Sequence, residues 1–252
     1  MKTEIILTVA ESKRLIAKGV KEMKMVKNAF KDGLLVVTSG STDGYIVEEL
    51  LEKNIDKTGY MTGKTLPATV NTNHLKVGDS IPDVVFKNGE LTEDLDRKTA
   101  AENFDKEDVY IKGANALNYK KGVAGICIGH PAGGTIGAAI GHIIGKRGNL
   151  VIPVGLEKCI SSDIYEMADK LNEDQEEYDS VPRLWPVRGE IITEKEALEI
   201  LFDVEVNQIA AGGLAGAEGG VRLLVEGEKA ELKEVKEFVE GIHGEPPFYE
   251  FE

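Results

Sequence analysis

The stretch GLLVVTSGSTDGYIVEELL, residues 33–51, decides the fold class. Leu34 to Val37 form an unbroken apolar run, the pattern of a strand buried on both faces. Thr38, Ser39 and Gly40 permit a tight turn, and Ser41, Thr42 or Asp43 can cap the helix that follows. A strand passing into a helix through a short Gly/Ser/Thr turn is the building unit of an α/β sheet.

Outward from this unit the same rhythm continues. Upstream, Leu15, Ile16, Val20, Met23, Val26 and Phe30 recur at helical spacing, predicting one amphipathic helix over 12–30 with Ser12 at its N-cap. Downstream, Asn88-Gly89 between short apolar runs predicts a hairpin over 83–91, inserted on the main sheet within a segment of about 60–92. A helix is expected from Glu93 to Phe104, with strands at 108–113, 123–129 and 150–155. The segment TIGAAIGHIIGK (135–146) reads as one helix, and LWPVRGEII (184–192) as one strand. A helix follows with a capping box between Thr193 and Glu196. Strands at 204–213 and 219–227 and a helix at 231–242 close the chain. The expectation is a single α/β domain over 1–252: an open, mainly parallel, Rossmann-like sheet with helices on both faces and a small inserted hairpin.

Composition excludes several functions. The 252 residues carry 30 basic and 44 acidic side chains, a formal net charge of −14. Such a surface repels phosphate backbones, so no nucleic-acid partner is expected. Eight carboxylates fall between Asp163 and Asp179, a solvated acidic stretch. No run of eighteen apolar residues occurs and the first residues lack a signal-peptide pattern, so no membrane association is expected. The two cysteines, Cys127 and Cys159, lie in apolar or strand-like contexts and suit buried thiols in a reducing, cytoplasmic setting. Cys127, His130, His142 and His74 do not stand at a recognisable metal-binding spacing, so no metal is expected. The sequence specifies no cofactor. A homo-oligomer is expected, since α/β proteins of this size commonly form closed symmetric assemblies.

Ligands of such sheets collect at the carboxyl ends of the strands, and three glycine-rich corners fit. At 38–44, free N–H groups at the positive end of a helix would cradle a phosphate or carboxylate with the hydroxyls assisting, or the stretch is an ordinary capped strand-to-helix turn. The second corner, GHPAGGTIG (129–137), offers His130, Gly133, Gly134 and Thr135 for ligand contact. No lysine precedes Thr135, so it is not a P-loop. It approaches a dinucleotide fingerprint, with Ala132 replacing the first glycine and Glu157 where a ribose-binding acid would be sought. The third, AAGGLAGAEGG (210–220), exposes Glu218 as a nucleophile or general base, or as part of a plain surface loop. Lys112 and Asn115, at a strand end, are placed to receive an anionic or carbonyl oxygen, and Lys158 similarly. Trp185, between Pro182 and Pro186, reads as packing at the core edge.

With these residues in hand, the chain resembles the sugar-phosphate isomerase and CoA-transferase superfold, which includes ribose-5-phosphate isomerase, glucosamine-6-phosphate deaminase, the DeoR sensor domain and CoA transferases. GLLVVTSGSTDGYIVEELL is similar to that group's first unit. DVYIKGANALN (108–118) is similar to the strand that carries Asp-Gly-Ala-Asp-Glu in the isomerases, with Gly113 and Ala114 agreeing and Lys112, Asn115 and Ala116 replacing the acids. The resemblance implies a phosphate cradle at Ser39–Thr42 and carries no catalytic role by motif. The expected function is binding of a small anionic metabolite, phosphorylated or CoA-linked, with isomerisation or acyl/CoA transfer as the chemistry and Glu218, Lys112 and Asn115 at the reacting carbon. A non-catalytic ligand-binding or sensor module on the same fold is the alternative, and an NAD(P)-dependent oxidoreductase the second alternative.

Overall fold

A computed structural model describes residues 1–70, 77–173 and 181–249. The Leu34–Val37 run is strand β2, with all four residues buried. To follow the chain, β1 is Lys2–Leu7, β3 Val84–Lys87, β4 Glu90–Leu91, β5 Val109–Ile111 and β6 Ala116–Asn118. Later come β7 (Val123–Ile128), β8 (Asn149–Pro153), β9 (Arg183–Val187), β10 (Glu190–Ile192), β11 (Glu205–Ala211) and β12 (Val221–Glu226). The helices are α1 (Val9–Glu22), α2 (Lys24–Asp32), α3 (Ser41–Leu51), α4 (Arg97–Glu102), α5 (Gly134–Gly137), α6 (Ile140–Lys146), α7 (Ile164–Leu171), α8 (Glu194–Leu201) and α9 (Lys229–Glu240).

The main sheet has the order β10-β8-β5-β2-β3-β4. β2, β5, β8 and β10 are parallel neighbours, while β3 pairs antiparallel with β2 and β4 with β3. The expected hairpin is present as this sheet's edge. Asn88 and Gly89 both have positive φ, 51° and 85°, as a tight two-residue turn requires.

Helices cover both faces. On one, Leu15, Ile16 and Val20 of α1, Tyr45 and Ile46 of α3 and Ala197 and Leu198 of α8 share a core with Leu35, Val37, Val109 and Ile111. On the other, Ala100, Ala101, Ile136, Ala139 and Ile143 pack on Val36, Tyr110, Leu150 and Ile152. The alternation along β2 and β5 explains why the run is apolar throughout: odd and even residues serve different cores.

On the first face α1 lies between α3 and α8. Its approach to α8 is close enough that a Cβ on Gly19 would stand 2.6 Å from Ala197 Cβ. Gly19→Ala therefore lowers stability by about 1–3 kcal/mol, although alanine is the better helix former by ~1 kcal/mol. A urea denaturation series reads the sign directly, and a stabilised variant would contradict this packing.

Several expected elements differ. The helix over 12–30 is two helices, because Met23 takes an extended conformation (φ −57°, ψ 130°) between them. The apolar stripe runs on across the break, so periodicity does not reveal it. The N-cap is Thr8, in a capping box with Glu11, and Ser12 is buried one turn inside. The 135–146 helix is likewise split into α5 and α6, and Cys127 and Cys159, expected to be buried, are both exposed.

VAGICIG does not join the parallel sheet. It forms β7, in a separate antiparallel sheet ordered β6-β7-β9. Its apolar run has another cause: one face meets the second core, and the other meets Ile164 and Leu184. LWPVRGEII divides into β9 and β10, which belong to different sheets. The last strands also leave the parallel pattern, for β11 and β12 pair antiparallel with each other and β12 with β1. Ile5, Leu7, Val206, Val221, Leu223 and Val225 of this third sheet enter the first core beside Leu232 and Val235 of α9. The fold is thus mixed α/β, with a mostly parallel main sheet and two antiparallel ones. No helix among the described residues is long and apolar enough to cross a membrane.

Candidate functional site

The carboxyl ends of the parallel strands meet the first turns of three helices. α3 leaves β2 and α8 leaves β10 on the same side, and α1 enters beside them. Arg14 bonds Glu48 and Glu49 while Lys21 bonds Glu52, so α1 and α3 run in parallel, N-termini together. At their meeting point stand Ser12 and Lys13 from α1, Asp43 from α3, Lys112 after β5, Glu157 and Lys158 after β8, and Glu194 opening α8.

Local sequence explains how the acids fit. A Cβ on Gly40 would lie 2.4 Å from Asp43 Oδ2, and one on Gly155 1.7 Å from Glu157 Oε2. Each glycine makes room for a carboxylate that folds back over it. Gly113 donates its N–H to Asp43 Oδ2 at 3.2 Å, bridging the ends of β2 and β5. Lys112 Nζ donates to Gly113 O at 3.0 Å, and Lys158 Nζ to Ala114 O at 2.9 Å. Glu194 Oε2 accepts from Leu156 N–H at 2.9 Å.

The remaining valences are open. Asp43 Oδ1, Glu157 Oε2, Glu194 Oε1 and Ser12 Oγ are buried without a hydrogen-bond partner. Ser12 does lie close enough to Glu194 to lower its pKa, but not in hydrogen-bonding geometry. Lys13, 9% exposed, makes no hydrogen bond or ion pair among the described residues, and its ammonium sits 5.1 Å from the centre of the Phe248 ring. A buried polar atom left unpaired costs about 1–3 kcal/mol, which makes this junction the candidate site.

Burial moves the ionisations toward neutrality. It pushes the Asp43 carboxyl up to about 6, against the pull of Lys112, the Gly113 N–H and Lys158. It lifts Glu194 to about 7, with help from Glu157. It draws Lys13 down to about 8, with Lys158 adding to the effect and Glu157 opposing it. Lys112 is lowered too, again chiefly by burial and against Asp43. Acids raised and amines lowered at one strand-end junction are the pattern that proton-transfer sites share.

No family model matches the chain, and no characterised protein or solved structure gives a match. The site is therefore read from its own geometry.

The residues expected from sequence fall into two groups. Lys112 belongs to the cluster. The 38–44 turn borders it, but Ser39 is already engaged: its N–H bonds Asp83 Oδ1 at 2.6 Å and its hydroxyl bonds Thr62. Asp83 in turn pairs with Arg97. Gly40 is filled by the Asp43 carboxylate, so both Ser39 and Gly40 of the expected cradle are taken up by the protein's own groups.

The 129–137 corner launches its helix onto the opposite face, where Ile136 packs and Thr135 O accepts from Tyr110 Oη at 2.9 Å. Its glycines have structural causes. Gly133 and Gly134 have φ of 80° and 59°, and a Cβ on Gly137 would strike Ala132 O at 2.3 Å. His130 is exposed, its Nδ1 accepting from Ala132 N–H at 3.1 Å. Because β7 is not a strand of the parallel sheet, the near-fingerprint lacks the strand–helix setting a dinucleotide needs.

Asn115 is a brace: Oδ1 accepts from Cys127 N–H at 2.9 Å and its N–H bonds Gly125 O at 2.8 Å, fastening β7 to the end of β5. Glu218 is exposed and its Oε2 accepts from Gly216 N–H at 2.8 Å. Backbone N–H groups of its own turn hold its pKa below the usual range, which makes it a weak base. The loop lies beside Leu7 and Val9, outside the lysine–carboxylate cluster. The residues His74 and 174–179 lie outside the described residues. Among those described, no group of His, Cys, Asp and Glu is arranged to hold a metal ion.

Sequence reasoning passed over Lys13, Glu194 and the open role of Asp43. A signal for Lys13 was present: it shares the face of Ile16 and Val20, three and seven residues on, so the helix carries an amine on its apolar stripe. Glu194 gives no such signal, because acids in a first helical turn are ordinary.

Proposed function

We propose that this junction binds a small anionic metabolite, phosphorylated, carboxylated or CoA-linked, and moves a proton on it. The observation that carries the reading is Lys13: a side chain 9% exposed, without a hydrogen bond or ion pair among the described residues, beside Glu157, whose Oε2 is also buried without a partner. Burying an unpaired charge is expensive, and an anionic ligand placed between Lys13, Lys112 and Lys158 would offset it. Asp43 and Glu194, both held near neutrality by burial, then stand as general acid or base. They supply carboxyls from positions other than those of the isomerase motif, which fits isomerisation or acyl transfer on the bound metabolite. Kinship with the sugar-phosphate isomerase and CoA-transferase superfold is supported by the β2–turn–α3 unit and by Gly113-Ala114 just after β5.

Thermal unfolding in the presence of inorganic phosphate, ribose 5-phosphate, acetyl-CoA and NAD(P) tests this. A ligand at a hundred times its Kd adds about 2.7 kcal/mol, a rise in Tm of about 5–10 °C for a chain of this size. The rise is expected with phosphate or one of its esters, absent with NAD(P), and lost in Lys112→Met. No stabilisation by any anion would refute the site. Stabilisation without turnover would establish the sensor alternative.

A further inference from the structure

Of the three amines in the junction, two are spoken for: Lys112 and Lys158 each donate to a backbone carbonyl. Lys13 makes no such bond, and its side chain is held by the Phe248 ring on one side. Beside it is Glu157, whose charge acts on it and whose Oε2 is sealed from solvent without a partner; Asp43 Oδ1 and Glu194 Oε1 are likewise unpartnered elsewhere in the junction. The helix that bears it is fixed on both flanks, by Arg14 and Lys18 to α3 and by the Gly19–Ala197 approach to α8. The amine is thus left without a hydrogen-bond or ion-pair partner among the described residues while still within reach of solvent.

We propose that Lys13 is a nucleophile that forms an imine with the carbonyl carbon of a small aldehyde or ketone bearing a carboxylate or phosphate. The inference rests on the proposed anion site, in which Lys112 and Lys158 hold the substrate's anionic group. The neutral amine attacks the carbonyl carbon, forming the C–N bond while the carbonyl oxygen takes up a proton. The resulting hydroxyl then leaves as water with a second proton, and the C=N bond forms. Both hydrogens lost from nitrogen depart in that water, so no oxidant or co-reactant is needed. Glu157, whose charge acts on Lys13, is the carboxyl placed to relay the protons. A lysine beside another cation in a desolvated place is activated in this manner, since its neutral form is favoured at lower pH; Lys13 stands at about 8.

The test is reductive trapping of the intact chain at pH 7 with sodium cyanoborohydride, using glyoxylate in one arm and glycolaldehyde phosphate in the other. Hydride delivery to the imine carbon leaves a stable secondary amine that peptide mapping locates. Expected is one adduct per chain, at Lys13, formed roughly tenfold or more faster than at any surface lysine. The faster arm tells a carboxylate from a phosphate as the anionic group. Lys13→Arg keeps the charge, cannot form the imine and should lose the adduct, with its Tm reporting that it folds. Adducts spread over surface lysines, or undiminished in Lys13→Arg, would overturn the proposal. So would an unlabelled Lys13 in the wild-type chain, which needs no variant. If phosphate stabilises the protein but neither aldehyde labels Lys13, the imine falls and the anion site stands. If neither occurs, both fall.

Discussion

Glu194→Gln stabilises the protein at pH 8 by about 3 kcal/mol and leaves it unchanged near pH 4. Glu194 is wholly buried, and burial together with Glu157 lifts its carboxyl from the ordinary 4.5 to about 7. Between those values the folded chain keeps a proton that the unfolded chain has released. Stability from this group is therefore complete below about 4.5 and declines as pH rises through 7. Glutamine never ionises, and its oxygen can still accept from Leu156 N–H. Urea denaturation of both proteins at pH 4, 6 and 8 measures the widening gap. A gap that is constant with pH, or a variant weaker at pH 8, would mean that Glu194 is held by contacts the geometry does not contain. A substitution that strengthens the fold at a site proposed for chemistry is the signature of a residue kept for function.

Arg14→Met destabilises the fold by about 3 kcal/mol, because it breaks a buried ion network from its centre. The guanidinium, with its side chain 12% exposed, reaches Glu48 Oε2 at 2.6 Å, Glu49 Oε1 at 2.9 Å and both oxygens of Glu245 at 2.9 and 3.0 Å. It also lies 4.8 Å from the centre of the Tyr45 ring. Glu48 retains Lys57 and the Ile55 N–H, so it stays partly compensated. Glu49 keeps Lys18, while Glu245 has no other ion-pair partner among the described residues. Glu245 ties down the segment that puts Phe248 against Lys13 and 6.4 Å from Tyr45. The variant should therefore also expose Lys13, seen as faster acetylation of that residue by limiting acetic anhydride. A loss below about 0.5 kcal/mol with unchanged Lys13 labelling would show that Arg14 holds nothing essential.

The parts of this fold that were legible in sequence are those set by local chemistry. LLVV, the Asn88-Gly89 turn and the Thr193/Glu196 capping box each contain their own instructions, and each forms as expected. Sheet membership was not legible. VAGICIG and LLVV are both apolar runs, and an apolar run states that a strand is covered twice without naming its neighbours. The opening strand Lys2–Leu7 pairs with β12 more than two hundred residues away, a partnership no local window holds. Glycines misled for a related reason. Those at 133, 134 and 137 answer to turn geometry and close backbone contact, while Gly40 and Gly155 give space to acids. Lys112 was legible because it ends a strand. Glu194 was not, because its depth depends on α1 and the turn after β8 closing over it.

Clamping α1 between its two neighbours has an energetic consequence. The amine of Lys13 arrives on a scaffold whose backbone freedom was surrendered during folding, and an incoming molecule need not organise it again. Preorganisation of this kind shifts the cost of ordering from the encounter to the synthesis of the native state. What remains for the encounter is dehydration of the guest and of the polar atoms awaiting it.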